Sequence, residues 1–254
     1  MLSKNQIKYI NSLQNKKFRL EYKSFIAEGD KIVKEAIDSD FEIIAIFATS
    51  NWLSENKELS IKNFTVVEND EIKKISSLST PQEVIAILKI RDKELIETEF
   101  ENKFSIILDN IKDPGNLGTI IRLADWFGIE NIICSDDTVD AYNPKVVQAS
   151  MGSVFRINIF YTDLGSFIQN YQNIENFNIY GAFLDGENIY STSFNTRGFI
   201  VMGSESHGIS KHLEKLIPNR ITIPKSEKSC TESLNVAIST AIICSEIQRT
   251  MLGF

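Results

Sequence analysis

The stretch DNIKDPGNLGTIIR, residues 109–122, decides the fold predicted for this chain. An apolar strand-like run ends there, and a polar, glycine-bearing loop and then a helix follow. Two later segments also lead from a strand into a polar loop, FIVMGSESHG at 199–208 and RITIPKSEKSCTESLN at 220–235. In open α/β sheets, ligands bind in the crevice beyond the carboxyl ends of the strands. The three loops therefore predict one composite site in the second half of the chain.

The composition of the chain is that of a globular protein with a sizeable core. Its 254 residues are 43% hydrophobic, which predicts one or two domains. Lys and Arg number 27 against 34 Asp and Glu, giving a formal net charge of −7. This charge argues against a protein that coats nucleic acid non-specifically, so any contact with nucleic acid must come from a local basic patch.

The cysteines predict reduced thiols. Cys134, Cys230 and Cys244 are far apart and form no C-x-x-C pair. The N-terminus lacks the apolar core of a signal peptide, and no run approaches the roughly 18 apolar residues of a membrane span. We therefore expect a cytoplasmic protein that does not enter a membrane.

The pattern of elements predicts two α/β units. Short helices and strands alternate in the first part of the chain, with residues 16–19 as a polar, basic connection. The charged stretch 91–103 lacks strong periodicity and predicts a domain boundary. Strands and helices then alternate again, beginning with a strand predicted at 104–109. Later elements include a helix predicted at 144–150, a strand at 177–183 and the last helix at 233–249.

The basic residues near the N-terminus are clustered, and only Glu21 opposes them within the first 23 residues. This local surplus predicts either contact with a polyanion or a solvated, frayed terminus. The basic side chains are Lys4, Lys8, Lys16, Lys17, Arg19 and Lys23.

Several common sites are disfavoured. The chain has no Walker A signature, and Gly115, Gly118 and Gly128 do not form a G-x-G-x-x-G fingerprint, so an ordinary NAD or ATP site is not expected. His207 and His212 are five residues apart without a matching cysteine or carboxylate pattern. No metal site is predicted.

Each polar residue of the three loops also has a structural interpretation. Asn116 could cap a helix, and Ser233 could cap the last helix. Glu205 could be a surface carboxylate. Capping does not explain Arg122, whose long side chain could reach back from the helix over a bound anion.

Taken together, the three loops resemble the ordered motifs of the SpoU (TrmH-type) RNA ribose 2′-O-methyltransferases of the SPOUT superfamily. The carrying patterns are Asn116-x-Gly118-x-x-x-Arg122, Gly203-Ser204-Glu205-x-x-Gly208, Ile223-Pro224 and Ser233-Leu234-Asn235-Val236. The segment NPKVVQASMGSVFR, residues 143–156, resembles the connecting element of the family.

The N-terminal part resembles, more weakly, the L30e-like substrate-binding domain that often precedes this catalytic domain. Residues 17–19 and 25–36 carry that resemblance. The two resemblances imply a substrate-binding domain at 1–95 and a methyltransferase domain at 103–254. They also imply that Lys16, Lys17, Arg19 and Lys23 hold RNA phosphates.

The resemblance implies an α/β fold whose C-terminal part forms a deep trefoil knot. It implies S-adenosylmethionine bound by backbone groups near Gly203, Ile223 and Leu234, and methyl transfer to a ribose 2′-hydroxyl of rRNA or tRNA. A homodimer whose site is completed across the interface is also implied.

The resemblance further implies roles for five side chains. Arg122 would bind the phosphate next to the target ribose and stabilise the developing alkoxide, because a guanidinium remains protonated and cannot act as the base. Asn116 would orient the ribose or Arg122, and Glu205 would hold Arg122 or its own loop. Ser233 and Asn235 would position the nucleotide.

One feature departs from the family pattern. The loop 225–232 has no glycine and places Ser233 nine positions after Pro224, a longer spacing than the family commonly shows. Three other functions stay open: a non-catalytic RNA-binding protein of the same fold, an RNA base methyltransferase, and an unrelated small-molecule α/β enzyme.

Overall fold

A computed structural model describes residues 1–59, 63–91, 93–96 and 100–253 of the chain. Within those ranges the chain forms two compact units. The first contains Met1–Asp92 together with Asp140–Arg156, and the second contains Lys93–Val139 and Ile157–Phe254.

The helices and strands alternate along most of the chain, as the sequence predicts. The helices are α1 Lys4–Ser12, α2 Lys16–Tyr22, α3 Asp30–Ile37, α4 Ser50–Glu55, α5 Asn69–Ile75, α6 Pro114–Trp126, α7 Pro144–Ser150, α8 Leu164–Gln169, α9 Lys211–Glu214 and α10 Val236–Leu252. The strands are β1 Ser24–Glu28, β2 Ile43–Ala48, β3 Phe64–Val66, β4 Val84–Lys89, β5 Phe104–Leu108, β6 Asn131–Ser135, β7 Asn158–Thr162, β8 Asn178–Asn188, β9 Gly198–Met202 and β10 Asn219–Thr222.

The first unit is built on a mixed sheet with the strand order β1-β4-β2-β3. Strands β1 and β2 both run antiparallel to β4, and β3 runs parallel to β2. One core cluster of this unit includes Ile10, Leu13, Ile26, Phe47 and Ile85. Helices α1 and α5 pack on each other beside this sheet.

Residues 16–22 form helix α2, so the prediction of a polar connection at 16–19 is wrong. The side chain of Asn15 accepts a hydrogen bond from the Lys17 amide over 2.9 Å and caps the helix. The rings of Phe18 and Tyr22, one turn apart, stack with centroids 6.1 Å apart. The contact between these rings and the burial of Arg19 stabilise helix α2, although its polar sequence by itself is typical of a loop.

The segment Asp140–Arg156 belongs to the first unit although it follows strand β6. Helix α7 packs on β1, and Phe25 contacts Tyr142 with ring centroids 4.5 Å apart. Arg156 forms an ion pair with Glu35. The compact first unit is therefore discontinuous in sequence.

The second unit is an all-parallel sheet with the strand order β10-β8-β9-β5-β6-β7. The two central strands, β5 and β9, are buried along their whole length, as expected for a parallel sheet covered on both faces. Strands β5, β9 and β10 end at the loops that begin at residues 109, 203 and 223. Parallel alignment brings the carboxyl ends of β5 and β9 together at one edge of the sheet.

Among the helices described, none is long and apolar enough to cross a membrane.

Candidate functional site

The first loop of the site connects β5 to α6. The side chain of Asp113 caps α6 by accepting a hydrogen bond from the backbone N–H of Asn116 over 2.8 Å. Pro114 occupies the first helical turn, where its missing N–H costs nothing. The capping interpretation of Asn116 is therefore wrong. Because Asn116 is the third helical residue, its side chain is available for other partners.

The second loop follows β9 and closes between Ser204 and Gly208, whose backbones exchange two hydrogen bonds of 3.1 and 2.8 Å. A Cβ atom on Gly203 would lie 2.1 Å from the carbonyl carbon of Gly208. Only glycine fits at position 203, because the backbone of the returning chain occupies the space of a side chain. The tight closure presents Glu205 at the exposed end of the loop.

The third loop runs from β10 to α10. Asn235 caps α10 by accepting hydrogen bonds from the amides of Ala237 and Ile238 over 2.9 and 3.3 Å. The helix therefore begins at Val236, three residues later than predicted, and the interpretation of Ser233 as its cap is wrong. The exposed Ser233 and Leu234 precede the cap.

The three loops meet in a hydrogen-bonded network of three side chains. The side-chain amide of Asn116 donates through Nδ2 to Oε1 of Glu205. The Nδ2 of Asn235 donates to Oδ1 of Asn116 over 2.9 Å and approaches Oε1 of Glu205 at 3.5 Å. These contacts fix the orientation of both side-chain amides. The oxygen of Asn235 accepts from the backbone amides that begin α10, so its nitrogen is the atom that donates to Asn116.

A cavity of about 700 Å³ lies beside this network. Among the predicted site residues, Gly203, Glu205, Ile223, Ser233 and Leu234 line it. The remaining lining comes from the middle of β8, from α9 and β10, from the second and third loops and from one face of α10. Its apolar side chains include Met202, Ile209, Ile221, Val236 and Ile243, and its carboxylates are Asp185, Glu205, Glu214 and Glu232.

Arg122 lies exposed on α6, two turns after the loop. Within the described ranges its guanidinium makes no hydrogen bond or ion pair. Within this chain the Glu205 carboxylate accepts from two asparagine side-chain amides and not from Arg122, so it links the three loops to one another. The guanidinium remains available for an anion from outside this chain.

Two groups of cavity residues were not predicted. His207 lines the cavity and pairs its Nδ1 with the Ser206 hydroxyl over 2.7 Å. The segment Ala182–Asp185 forms one wall. The predicted strand 177–183 includes only the first two of these four residues. The nearby Gly181 and Gly186 are the one sequence signal that the strand is irregular there.

The basic residues predicted to bind RNA differ in exposure. Lys16, Lys17 and Lys23 are exposed at the two ends of α2. Arg19 is only 1% exposed, and its guanidinium donates to Asp140 and to the carbonyl oxygens of Leu13 and Gln14. Direct phosphate binding by Arg19 is excluded in this conformation, which corrects that expectation.

In the part of the chain that the structure describes, no three His, Cys, Asp or Glu side chains are placed to hold a metal ion.

Comparisons with known proteins identify both parts of the chain. Residues 103–245 match the model of the SpoU rRNA Methylase family, and residues 4–86 match the MRM3-like substrate binding domain. The 23S rRNA (guanosine(2553)-2'-O)-methyltransferase RlmP of Bacillus subtilis (strain 168) is 28% identical over 244 residues, which cover 95% of each protein.

Two solved structures share the fold over nearly the whole chain. A putative RNA methyltransferase of the TrmH family from Porphyromonas gingivalis superimposes with a TM-score of 0.87 at 36% identity, covering 98% of this chain and 99% of that one. An AdoMet-bound rRNA methyltransferase from Sinorhizobium meliloti superimposes with a TM-score of 0.84 at 29% identity, covering 99% and 97%.

Proposed function

The chain belongs to the SpoU rRNA methylase family, and on that premise we propose that it transfers a methyl group from S-adenosylmethionine to a ribose 2′-hydroxyl of RNA. The observation that carries this proposal is the network of Asn116, Glu205 and Asn235 beside a cavity of about 700 Å³. The relatives support the same reaction, since the Bacillus protein is named as an rRNA 2′-O-methyltransferase and the Sinorhizobium structure holds AdoMet.

The cavity fits this cofactor in size and in chemistry. A cavity of about 700 Å³ is within the range that encloses a small-molecule ligand. Apolar side chains such as Ile223 and Leu234 can shelter an adenine ring, and the close backbone approach at Gly203 leaves main-chain groups to bind polar edges. The carboxylates around the cavity, Glu205 among them, favour a positively charged sulfonium group.

The residues of the network position the reacting ribose. When bound, the cofactor supplies an electrophilic methyl group, which the ribose 2′-oxygen attacks as the carbon–sulfur bond breaks. Asn116 and Asn235, oriented by the Glu205 carboxylate, hold the ribose next to the cavity, and holding the reacting centres close removes much of the entropic barrier. Ser233, on the lining, contributes a further hydroxyl to the nucleotide.

Arg122 binds the phosphate beside the target ribose and stabilises the developing alkoxide. Its side chain is exposed, and because a guanidinium is a poor base it acts as a hydrogen-bond donor and a positive charge. The hydroxyl proton goes to the neighbouring phosphate or to water.

A homodimer completes this site. Apolar side chains remain exposed on the two helices that carry motif residues: Trp126 on α6, and Ile238 and Leu252 on α10. An opposite face of α10, with Val236, Ile243 and Ile247, is already buried within the chain. A second copy would cover the exposed stripe and bring its own Arg122 towards the site. We also propose that the catalytic domain contains the deep trefoil knot of the family.

The substrate is rRNA, held through the N-terminal domain. The match to a substrate binding domain over residues 4–86 supports this role, and the exposed Lys16, Lys17 and Lys23 provide phosphate-binding cations. We take that domain, 1–95, to be L30e-like, and the catalytic domain to be 103–254. A cytoplasmic location is part of the same proposal.

The test is transfer of labelled methyl groups from S-adenosylmethionine to rRNA from a strain that lacks this gene, with Asn116→Asp as the inactive control. Nuclease digestion should release label as a 2′-O-methylnucleoside. Label on a base would identify a base methyltransferase instead. Binding of RNA without cofactor binding or label would identify a non-catalytic RNA-binding protein.

A further inference from the structure

Strand β8 leaves its partner in the middle of its length. Arg220 of β10 pairs with Gly181, and the next residue, Ile221, pairs with Glu187. Five residues of β8, 182–186, therefore lie opposite a single step of β10. They form a large bulge, which we call the β8 bulge, between two regular parts of the same strand.

Gly181, just before the β8 bulge, and Gly186, its last residue, allow the chain to leave and rejoin β10. A Cβ atom on Gly186 would lie 2.5 Å from the Ile221 carbonyl carbon and 2.6 Å from its nitrogen. A Cβ on Gly181 would lie 2.6 Å from the Phe183 ring. No larger residue fits at position 186, because the obstacle there is backbone and cannot rotate away.

Arg220, on β10, contacts two residues of the β8 bulge. Its guanidinium carbon lies 3.7 Å from the centre of the Phe183 ring, and its Nη2 donates to Asp185 over 2.5 Å. The Nη1 donates to Glu214 of α9 over 2.6 Å. The hydrogen bond from Arg220 holds the pKa of the Asp185 carboxyl below its ordinary value. One side chain thus joins the bulge to a neighbouring helix.

Residues of the β8 bulge also form one wall of the cavity. Ala182, Phe183, Leu184 and Asp185 line it, and so does Glu214. The backbone carbonyl of Leu184 accepts a hydrogen bond from the Thr222 hydroxyl over 3.3 Å. The Leu184 residue itself is 78% exposed. An exposed leucine on the wall of a ligand cavity is an apolar surface that a bound ring system can cover.

We propose that Arg220 is a positioning residue for the cofactor: it holds the β8 bulge in place so that Phe183 and Leu184 form one wall of the S-adenosylmethionine cavity. This inference rests on the proposed function for the identity of the ligand. Arg220 does not itself line the cavity and acts through the β8 bulge, so it should affect cofactor affinity and leave the transfer step unchanged.

The test compares variants of the full chain by calorimetric titration with S-adenosylmethionine. Arg220→Ala should weaken cofactor binding by at least about tenfold, because it removes a stacked cation and two charge-assisted hydrogen bonds. Arg220→Lys should recover only part of the affinity, since an ammonium cannot stack and bridge two carboxylates at once. At saturating cofactor, kcat should stay within about twofold of the parent.

The matched control is Arg197→Ala. Arg197 is a half-buried arginine of the same unit, and it donates to backbone carbonyls of Glu101, Glu175 and Asn176 at the amino end of β9, away from the cavity. Its replacement should leave cofactor affinity unchanged. Asp185→Asn, which keeps the shape of the side chain, serves as the milder variant if Arg220→Ala does not fold.

Hydrogen exchange of the cofactor-free protein gives a readout that does not depend on the ligand. Amides of residues 182–186 should exchange faster in Arg220→Ala than in the parent, and those of β6 should not change. Unchanged exchange and unchanged cofactor affinity in both Arg220→Ala and Asp185→Asn would overturn the inference. A parent protein that does not bind S-adenosylmethionine would overturn the proposed function, whereas the exchange result would still decide whether Arg220 holds the bulge.

Discussion

The side-chain amide of Asn235 donates to the amide oxygen of Asn116 over 2.9 Å, although 119 residues separate the two in the chain. Both amides also face the same oxygen of Glu205. A carboxylate accepts hydrogen bonds without donating, so it forces both amides to present their nitrogen atoms to it. The three loops of the site are therefore held in one mutual arrangement by their own side chains.

Replacing Asn116 with aspartate should nearly abolish methyl transfer. The new carboxylate would face Glu205 and repel it, and the loops would separate. We expect kcat/KM to fall by roughly a hundredfold or more, the scale of loss for a misplaced reacting group. Transfer of labelled methyl groups to RNA measures the effect.

Asn51→Asp is the matched control for this change. Asn51 lies in the first unit, where its amide donates to the carboxylate of Glu83 over 3.2 Å, so the substitution creates the same repulsion away from the site. Transfer by Asn51→Asp should remain close to that of the parent. Equal losses in the two variants would show that the Asn116 effect comes from general destabilisation.

Arg122→Lys should lower kcat/KM by about a hundred- to a thousandfold, the cost typical of losing one donor to a developing negative charge. Lysine keeps the charge but cannot form the two parallel hydrogen bonds of a guanidinium. Cofactor affinity, measured by calorimetry, should stay the same, because Arg122 does not line the cavity. Full activity in Arg122→Lys would exclude bidentate positioning by this residue.

Asn235→Ala should lower both activity and stability. The substitution removes the cap of α10, which costs about 0.5–2 kcal/mol of unfolding free energy. Ser233→Ala should have no such effect on stability, because Ser233 does not cap the helix. Urea unfolding of the two variants distinguishes these positions, and a larger loss for Ser233→Ala would contradict the assignment of the cap.

Arg19→Met should destabilise the chain by about 3–5 kcal/mol, because it leaves the largely buried Asp140 without its partner. The two backbone carbonyls that accept from Arg19 would also lose their donor. The control is Lys89→Met, which breaks an exposed pair with Glu42 and should cost about 0–1 kcal/mol. Denaturant unfolding of the full chain measures both changes.

Cys230 should react alone with a thiol reagent at pH 8. It is exposed in the loop 225–232, whereas Cys134 and Cys244 are buried. Burial raises the pKa of the Cys244 thiol to about 12 and also raises that of Cys134, so both stay protonated and poorly nucleophilic at pH 8. Mass spectrometry should find one modified cysteine in the native protein and three after denaturation. Modification of Cys244 in the native protein would contradict its burial.

Local sequence signals were sufficient for most elements of the second unit. Strand β5 was predicted at 104–109 and occupies Phe104–Leu108, and α7 was predicted with its observed bounds, Pro144–Ser150. Continuous apolar runs identify buried parallel strands because both faces of such strands are covered. The ends of helices were predicted less well, since Asp113 and Asn235 compete with neighbouring polar residues that are equally good caps.

By itself the sequence determined the order of strands, loops and helices, the family motifs and the set of polar residues available to the site. Only the tertiary structure decided which of those residues are partners. Glu205 accepts from Asn116 rather than from Arg122, and Arg19 is neutralised by Asp140, 121 positions later. The physical reason is that the strength of a polar contact depends on distance and on exclusion of water, and both are set by segments that are remote in the chain.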